Sequence, residues 1–229
     1  MIVKKHMLRI KKHKGKIMPK KPKYTKEMLV DTAVNIIREK GISYITAQSL
    51  AKKLNATAPS VFTHFSSVDE IRQAARNKAK EIYNEYVEKG LKMNPPFKGF
   101  SLQIVKFAMD EPQLYKLLFH ENGKNNTFSE YIENEGHFDE VTRAIQSTFG
   151  LEQEKAKSLF SNCMIYIHGI SSLIACHVCC YTIEEVSCMF GKVCRWLIIG
   201  LSAPENEMTK IIPANNLVID MNINEYLNK

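Results

Sequence analysis

Apolar residues recur every three to four positions through most of this chain, and the one stretch that reads as a strand, Leu217–Ile223, is short and near its end. The pattern predicts an all-α protein. The segment 23–40 places Leu29, Ala33, Ile36 and Ile37 on one face, with Thr25 as N-cap and Gly41 as the stop. Ile42 and Ile45 lead into two short helices within 46–65. Thr46 caps the first, and Leu50, Ala51 and Leu54 form its apolar stripe. Asn55-Ala56 makes the turn, because Asn tolerates turn geometry. Thr57 caps the second, where Pro59 falls in the first turn and its missing N–H costs nothing. Val61, with Phe62 or Phe65, packs inward. Ser67-Val68-Asp69-Glu70 is a capping box that opens a long helix to about Gly90, with Ile71, Ala75, Ala79 or Lys78, Ile82 and Tyr86 along one face. Asn94-Pro95-Pro96 is the clearest break. Beyond it the pattern predicts helices over 97–109, from Pro112, over 128–149, over 159–181 and over 183–201, with a polar loop at 123–126.

The pair of short helices has the layout of a helix-turn-helix, in which one helix braces and the other offers small polar side chains to a major groove. An ordinary helical hairpin has the same apolar pattern. The surroundings distinguish the two. T-x-x-x-L-A-x-x-L at 46–54, T-A-P-S-V-F-T-H-F at 57–65, the preceding A-V-N-I-I-R-E-K-G-I-S-Y-I-T and the following S-x-x-D-E-I together resemble the DNA-binding domain of the tetracycline-repressor (TetR) family, over about residues 25–75. Two positions depart from the family pattern. Ser66-Ser67-Val68 stand where members often carry a phosphate-contacting lysine, and Pro59 replaces a glycine often found in the second helix. Further on, V-K-F-A-M-D-E-P-Q-L-Y-K-L-L-F resembles the C-terminal domain of one TetR subfamily, and H-G-I-S-S-L-I-A resembles its interface helix. The resemblance implies an N-terminal three-helix helix-turn-helix DNA-binding domain at 24–66, followed by a helical-bundle ligand-binding and dimerisation domain at 67–202. A basic flexible arm (1–23) and an irregular tail (203–229) complete the expected organisation.

Specific roles follow. Ala58, Ser60 and Thr63 are expected at base edges, with the Ala and Thr methyls suited to thymine methyl groups. Thr46, Gln48, Thr57, Phe62 and His64 complete the expected DNA-binding set, and the resemblance supports Phe62 and His64 near phosphate. Tyr83, Tyr86, Phe107, Tyr115, Phe119 and Tyr166, with His168, are candidates to line an apolar pocket whose hydroxyls orient a ligand. An aromatic core would use the same residues. Ile167, Ile170, Ile174, Val193 and Leu197 lie on the two late apolar helices, which two copies of the chain are expected to join in a four-helix bundle.

Charge sharpens the picture. The net charge is +8, yet residues 1–26 hold eleven Lys or Arg and no Asp or Glu, leaving 21 basic against 24 acidic in the rest. The positive field is concentrated on the arm beside the short helices, as in an interaction tail. The arm has no apolar core of a secretory signal, and the six Cys all lie within 163–194 in apolar segments, so a reducing cytoplasm is expected. Cys176, Cys179 and Cys180 would share a helical face, a spacing for a soft metal or an oxidant sensor, although small buried hydrophobes have the same spacing. From Ser158 to Ile183 no Asp, Glu, Lys or Arg occurs, long enough for a membrane span but interrupted by Asn, His and Ser. A helix buried on most sides is the expected form. No phosphate loop, H-E-x-x-H or nucleophile elbow is present, so no enzyme and no cofactor is expected. The expected partners are an operator in double-stranded DNA, a second copy of the chain and an unidentified small-molecule effector, with no membrane. The other class of function compatible with the sequence is a helical interaction protein whose basic arm meets a membrane surface.

Overall fold

The computed structural model describes residues 24–120 and 136–203, and every regular element in them is helical. The all-α expectation therefore holds. The basic arm at 1–23, the loop at 123–126, the start of the 128–149 segment and the tail with Leu217–Ile223 lie outside the described residues.

The first helix, α1 (Lys26–Lys40), begins where the Thr25 hydroxyl accepts from the Met28 N–H and ends where Gly41 takes φ 89° and donates to the Ile37 carbonyl. A 3-10 turn (Ile42–Tyr44) and buried Ile45 lead to α2 (Ala47–Leu54). Asn55 closes α2 in the left-handed region, and α3 (Ala58–Val61) is a single turn followed by irregular backbone. The second short helix is thus shorter than the sequence predicts. Of the two alternatives for its inward aromatic, Phe65 is buried and Phe62 is 42% exposed.

The 24-residue α4 (Val68–Leu91) is about 36 Å long at 1.5 Å per residue. Ser67 caps it, but the reciprocal bond differs from a strict capping box: Glu70 accepts from the Ser66 N–H at 2.7 Å. Its buried line is Ile71, Ala75, Ala79, Tyr83, Val87 and Gly90, while Ile82 and Tyr86 are only half-buried. The expected face is therefore right in the first half and rotated in the second. After the Pro95-Pro96 break come α5 (Pro96–Asp110) and α6 (Pro112–Phe119), then α7 (Phe138–Phe149), α8 (Gln153–Ala175) and α9 (Ile183–Ser202).

A single buried cluster runs from Leu29 to Phe190. Its centre is α5, which packs on α4, α7, α8 and α9 through Phe97, Phe100, Ile104, Phe107 and their partners. The α1–α3 unit joins this body through α4 and α6. Arg38 of α1 holds the Glu111 carboxylate with two donor nitrogens, Nε at 2.9 Å and Nη2 at 2.6 Å, and Arg76 of α4 donates to the Leu117 carbonyl.

The uncharged run 158–183 does not form one helix. It divides at Cys176–Tyr181, where His177 takes φ 57°, so no continuous helix spans it. The helix α8 is long and apolar enough to cross a membrane by length and composition, with a mean hydropathy of 1.3 over the most apolar window, and half of that window is buried inside the chain. Cys176, Cys179 and Cys180 fall in the turn rather than on a helical face, and no group of three metal-binding side chains occurs among the described residues.

Candidate functional site

Two successive caps build the α2–α3 region. The Thr46 hydroxyl accepts from the Ser49 N–H while Ser49 Oγ accepts from the Thr46 N–H, each at 3.0 Å. Ser60 Oγ accepts from the Thr57 N–H at 3.1 Å, lies 3.1 Å from the Thr57 hydroxyl and donates to the Thr57 carbonyl at 2.6 Å. Ser60 is half-buried and its hydroxyl is committed to this cap, which counts against its expected place at a base edge. Thr63 is exposed and donates to the Ser60 carbonyl at 2.7 Å, leaving its oxygen free to accept and its methyl to pack. Thr46, Gln48, Thr57 and Phe62 are exposed together on the same two-helix unit, and Ala58 is half-buried.

His64, expected near phosphate, is half-buried and bonded within the chain. Its Nε2 lies 2.7 Å from the Tyr24 carbonyl, which can only accept, so Nε2 is the donor. The Tyr24 hydroxyl in turn donates to the Asn55 carbonyl at 3.1 Å. One residue thus ties the start of α1 both to the α2–α3 turn and to the segment after α3. Nearby, the Lys26 ammonium sits 5.2 Å from the centre of the Phe65 ring.

The aromatic set is brought together, with one exception. Tyr83 meets Phe107 and Phe119 edge-on at 5.4 and 5.2 Å, Tyr86 meets Phe107 at 5.4 Å, and Tyr115 meets Phe119 at 4.8 Å. The Tyr115 hydroxyl is 2.8 Å from His168 Nδ1. Tyr166 is elsewhere, stacked on Phe190 at 6.5 Å. Tyr83, Phe107 and Tyr115 are fully buried in mutual contact, so much of the cluster is core. Only its edge opens to a cavity of about 220 Å³ that is lined by Tyr115, Phe119, His120, His168 and Ser172 among others.

Burial pushes the His168 imidazole down to about 4, with the neighbouring His120 and Lys80 adding to the effect. His168 is then neutral at pH 7 and accepts from Tyr115. The unfolded chain binds this proton near pH 6.5 and the folded chain only near 4, so the stabilisation from the neutral ring is present above 6.5 and lost as pH falls toward 4. Between pH 7 and pH 5 unfolding by urea should show a loss of roughly 1–2 kcal/mol from this group. His168→Gln should flatten that slope, and an unchanged slope would remove His168 as its source.

A larger cavity was not legible in the sequence. It has a volume of about 330 Å³, lies between α5, α7 and α9, and is lined by Phe97, Phe149, Phe190 and Ile198 together with Lys98, Arg195 and Cys194. Its walls come from three helices far apart in the chain, with no local spacing to announce them.

Of the residues expected at an interface, Ile167 is fully buried within its own chain and Ile170 keeps only 6% of its surface exposed, leaving little to offer a partner. This corrects their assignment: the α8 stripe that packs on α5 carries them inward. Ile174, Val193 and Leu197 are half-exposed. The apolar side chains that do face outward are Ile165 (57% exposed) and Leu173 on α8, with Trp196 (70%) and Ile199 (48%) on α9. No protein-family model matches the chain, and no curated protein matches it either.

Proposed function

We propose that the chain is a dimeric, TetR-like DNA-binding regulator of transcription, a repressor that a small ligand releases from a palindromic operator. The observation that carries this reading is the α2–α3 unit: two capped short helices, a left-handed Asn55 turn between them, exposed Thr46, Gln48, Thr57, Phe62 and Thr63, and Tyr24 bonded to both the turn and His64. That unit would act as a helix-turn-helix, with α3 and the residues after it entering a major groove. Ten Lys or Arg within residues 1–23 precede it directly, and a duplex is a partner for such a field. Release by ligand would be a population shift, in which the bound effector favours a spacing of the two DNA-binding units that no longer matches successive major grooves.

Selecting bound sequences from a random pool of duplexes tests the reading directly. A palindromic consensus is expected, and Thr63→Ala should relax preference at one base pair by roughly 1–3 kcal/mol while Ser60→Ala, a cap residue, should leave preference unchanged. A pool that shows no enrichment would remove the DNA reading.

Dimerisation would use α8 and α9, which lie late in the chain and leave Ile165, Leu173, Trp196 and Ile199 to solvent. Trp196 is exposed in the single chain, so Trp196→Arg leaves the monomer core intact. In a paired α9 it would bury an unpartnered charge at a cost of several kcal/mol. Sedimentation should show dimers for the unaltered chain and monomers for the variant. Folded dimers from both would place the interface elsewhere.

A further inference from the structure

The cavity beside α9 holds a pair of thiols. Cys194 of α9 lines it, and Cys163 of α8, fully buried behind Cys194, places its sulfur 3.5 Å from the Cys194 sulfur. A disulfide is about 2.05 Å long, so the two sulfurs need to close by only about 1.5 Å. The other four cysteines, Cys176, Cys179, Cys180 and Cys188, lie on or near the surface, and none opens into this cavity.

We propose that Cys194 and Cys163 form a dithiol that reduces an organic hydroperoxide bound in the apolar cavity. The cavity walls are aromatic and aliphatic, which suits a peroxide with an apolar body better than hydrogen peroxide. Cys194 is the attacking group because it alone of the pair meets the cavity. The short contact favours that assignment. Either sulfur can donate across this contact; with Cys163 as donor, the bond and the charge of Lys98 hold Cys194 below the usual thiol range, while the same bond and burial push Cys163 up.

The chemistry balances in two steps. The Cys194 thiolate attacks the terminal peroxide oxygen. The O–O bond breaks, the alkoxide leaves and takes a proton to become the alcohol, and Cys194 becomes a sulfenic acid. The Cys163 thiol then attacks the Cys194 sulfur, the S–OH bond breaks, and water leaves as the disulfide forms. Two thiols are oxidised and one hydroperoxide is reduced to its alcohol. The product ties α8 covalently to α9. The thiol chemistry does not depend on the DNA reading, and either can fail without the other.

The test uses the full chain, reduced and then treated with cumene hydroperoxide. Non-reducing peptide mapping should find Cys163 linked to Cys194, with one equivalent of cumyl alcohol for each disulfide and recovery of both thiols on adding a dithiol reductant. Cys163→Ala should stop at a Cys194 sulfenic acid that dimedone traps, and Cys194→Ser should leave Cys163 as a thiol. Cumene hydroperoxide should react about tenfold faster than hydrogen peroxide, since burial of two methylene-sized groups is worth that much. Gly191 lines the cavity, and a Cβ built there meets nothing within 4 Å, so Gly191→Leu puts a side chain into the cavity while leaving both cysteines in the sequence. It should abolish the preference between the two peroxides. Disulfides confined to the surface cysteines, or oxidation of Cys163 in Cys194→Ser, would overturn the dithiol assignment. Equal rates for the two peroxides in the unaltered chain would overturn the cavity as the substrate site.

Discussion

Gly99→Ala should destabilise the fold by about 2–4 kcal/mol, measured as the loss in urea unfolding free energy. The helices α4 and α5 approach backbone to backbone at Gly90 and Gly99. A Cβ on Gly99 would collide with the Gly90 carbonyl oxygen and with the Met93 Cβ, and one on Gly90 would fall 2.5 Å from the Gly99 oxygen. No flexible side-chain end is there to move aside, so the helices must separate. Separation loosens the packing of Val87, Phe97 and Phe100, which are all buried around that crossing. The intrinsic gain of Ala over Gly within a helix, about 1 kcal/mol, opposes the clash and is the smaller term. Gly191→Ala is the matched control: it lies in α9 with no atom in the way of a Cβ, so only the propensity gain remains and the variant should be more stable. Equal stability of Gly99→Ala and the unaltered chain would mean that α4 and α5 do not meet this closely.

Most helix boundaries were legible because the chain marks them chemically. Thr25, Thr46 and Ser67 accept bonds at helix starts, and Gly41 and Gly150 take positive φ at helix ends, as their residue types predict. The break after Ala175 was not legible because nothing signals it: no Gly, Pro or charge occurs between Ala175 and Thr182, and His177 supplies the left-handed residue. The rotated face of α4 has a related cause. Its buried line advances by four residues at every step from Ile71 to Val87, and a local pattern that includes Ile82 and Tyr86 cannot tell a half-buried stripe from a buried one.

The candidate sites divide in the same way. The capped pair α2–α3 could be read because its signals are within twenty residues of one another. The aromatic group gathers as expected apart from Tyr166, yet its burial makes it core first and cavity wall only at one edge. Ile167 and Ile170 failed as surface residues for the opposite reason: an apolar residue on a helix with two apolar faces carries no mark of which face is inside. Cys163 and Cys194 are 31 positions apart on different helices, and only the packing of α8 on α9 brings them together.

Removal of the basic arm should weaken binding to every duplex without changing the preferred sequence. Tyr24 is held by Asn55 and His64 on the α2–α3 unit. The 23 residues that precede it in the sequence hold ten Lys or Arg and no Asp or Glu. Each phosphate that the arm neutralises releases condensed counterion, and the slope of log K against log salt changes by about 0.9 per contact. Ten side chains cannot all reach phosphate at once, and roughly two to four contacts are expected, a loss of about hundredfold at low salt. The loss should shrink as salt rises, because the term that is removed is the one that salt already competes with. Phosphate contacts position a protein whereas base edges specify, so a chain beginning at Tyr24 should keep its operator and its helical content. Both are measurable, the first by titrating operator and scrambled duplexes across a salt series, the second by far-ultraviolet circular dichroism. A truncated chain with the same slope as the full one would show that the arm does not lie on the duplex, and the lysine cluster would then lose its part in binding.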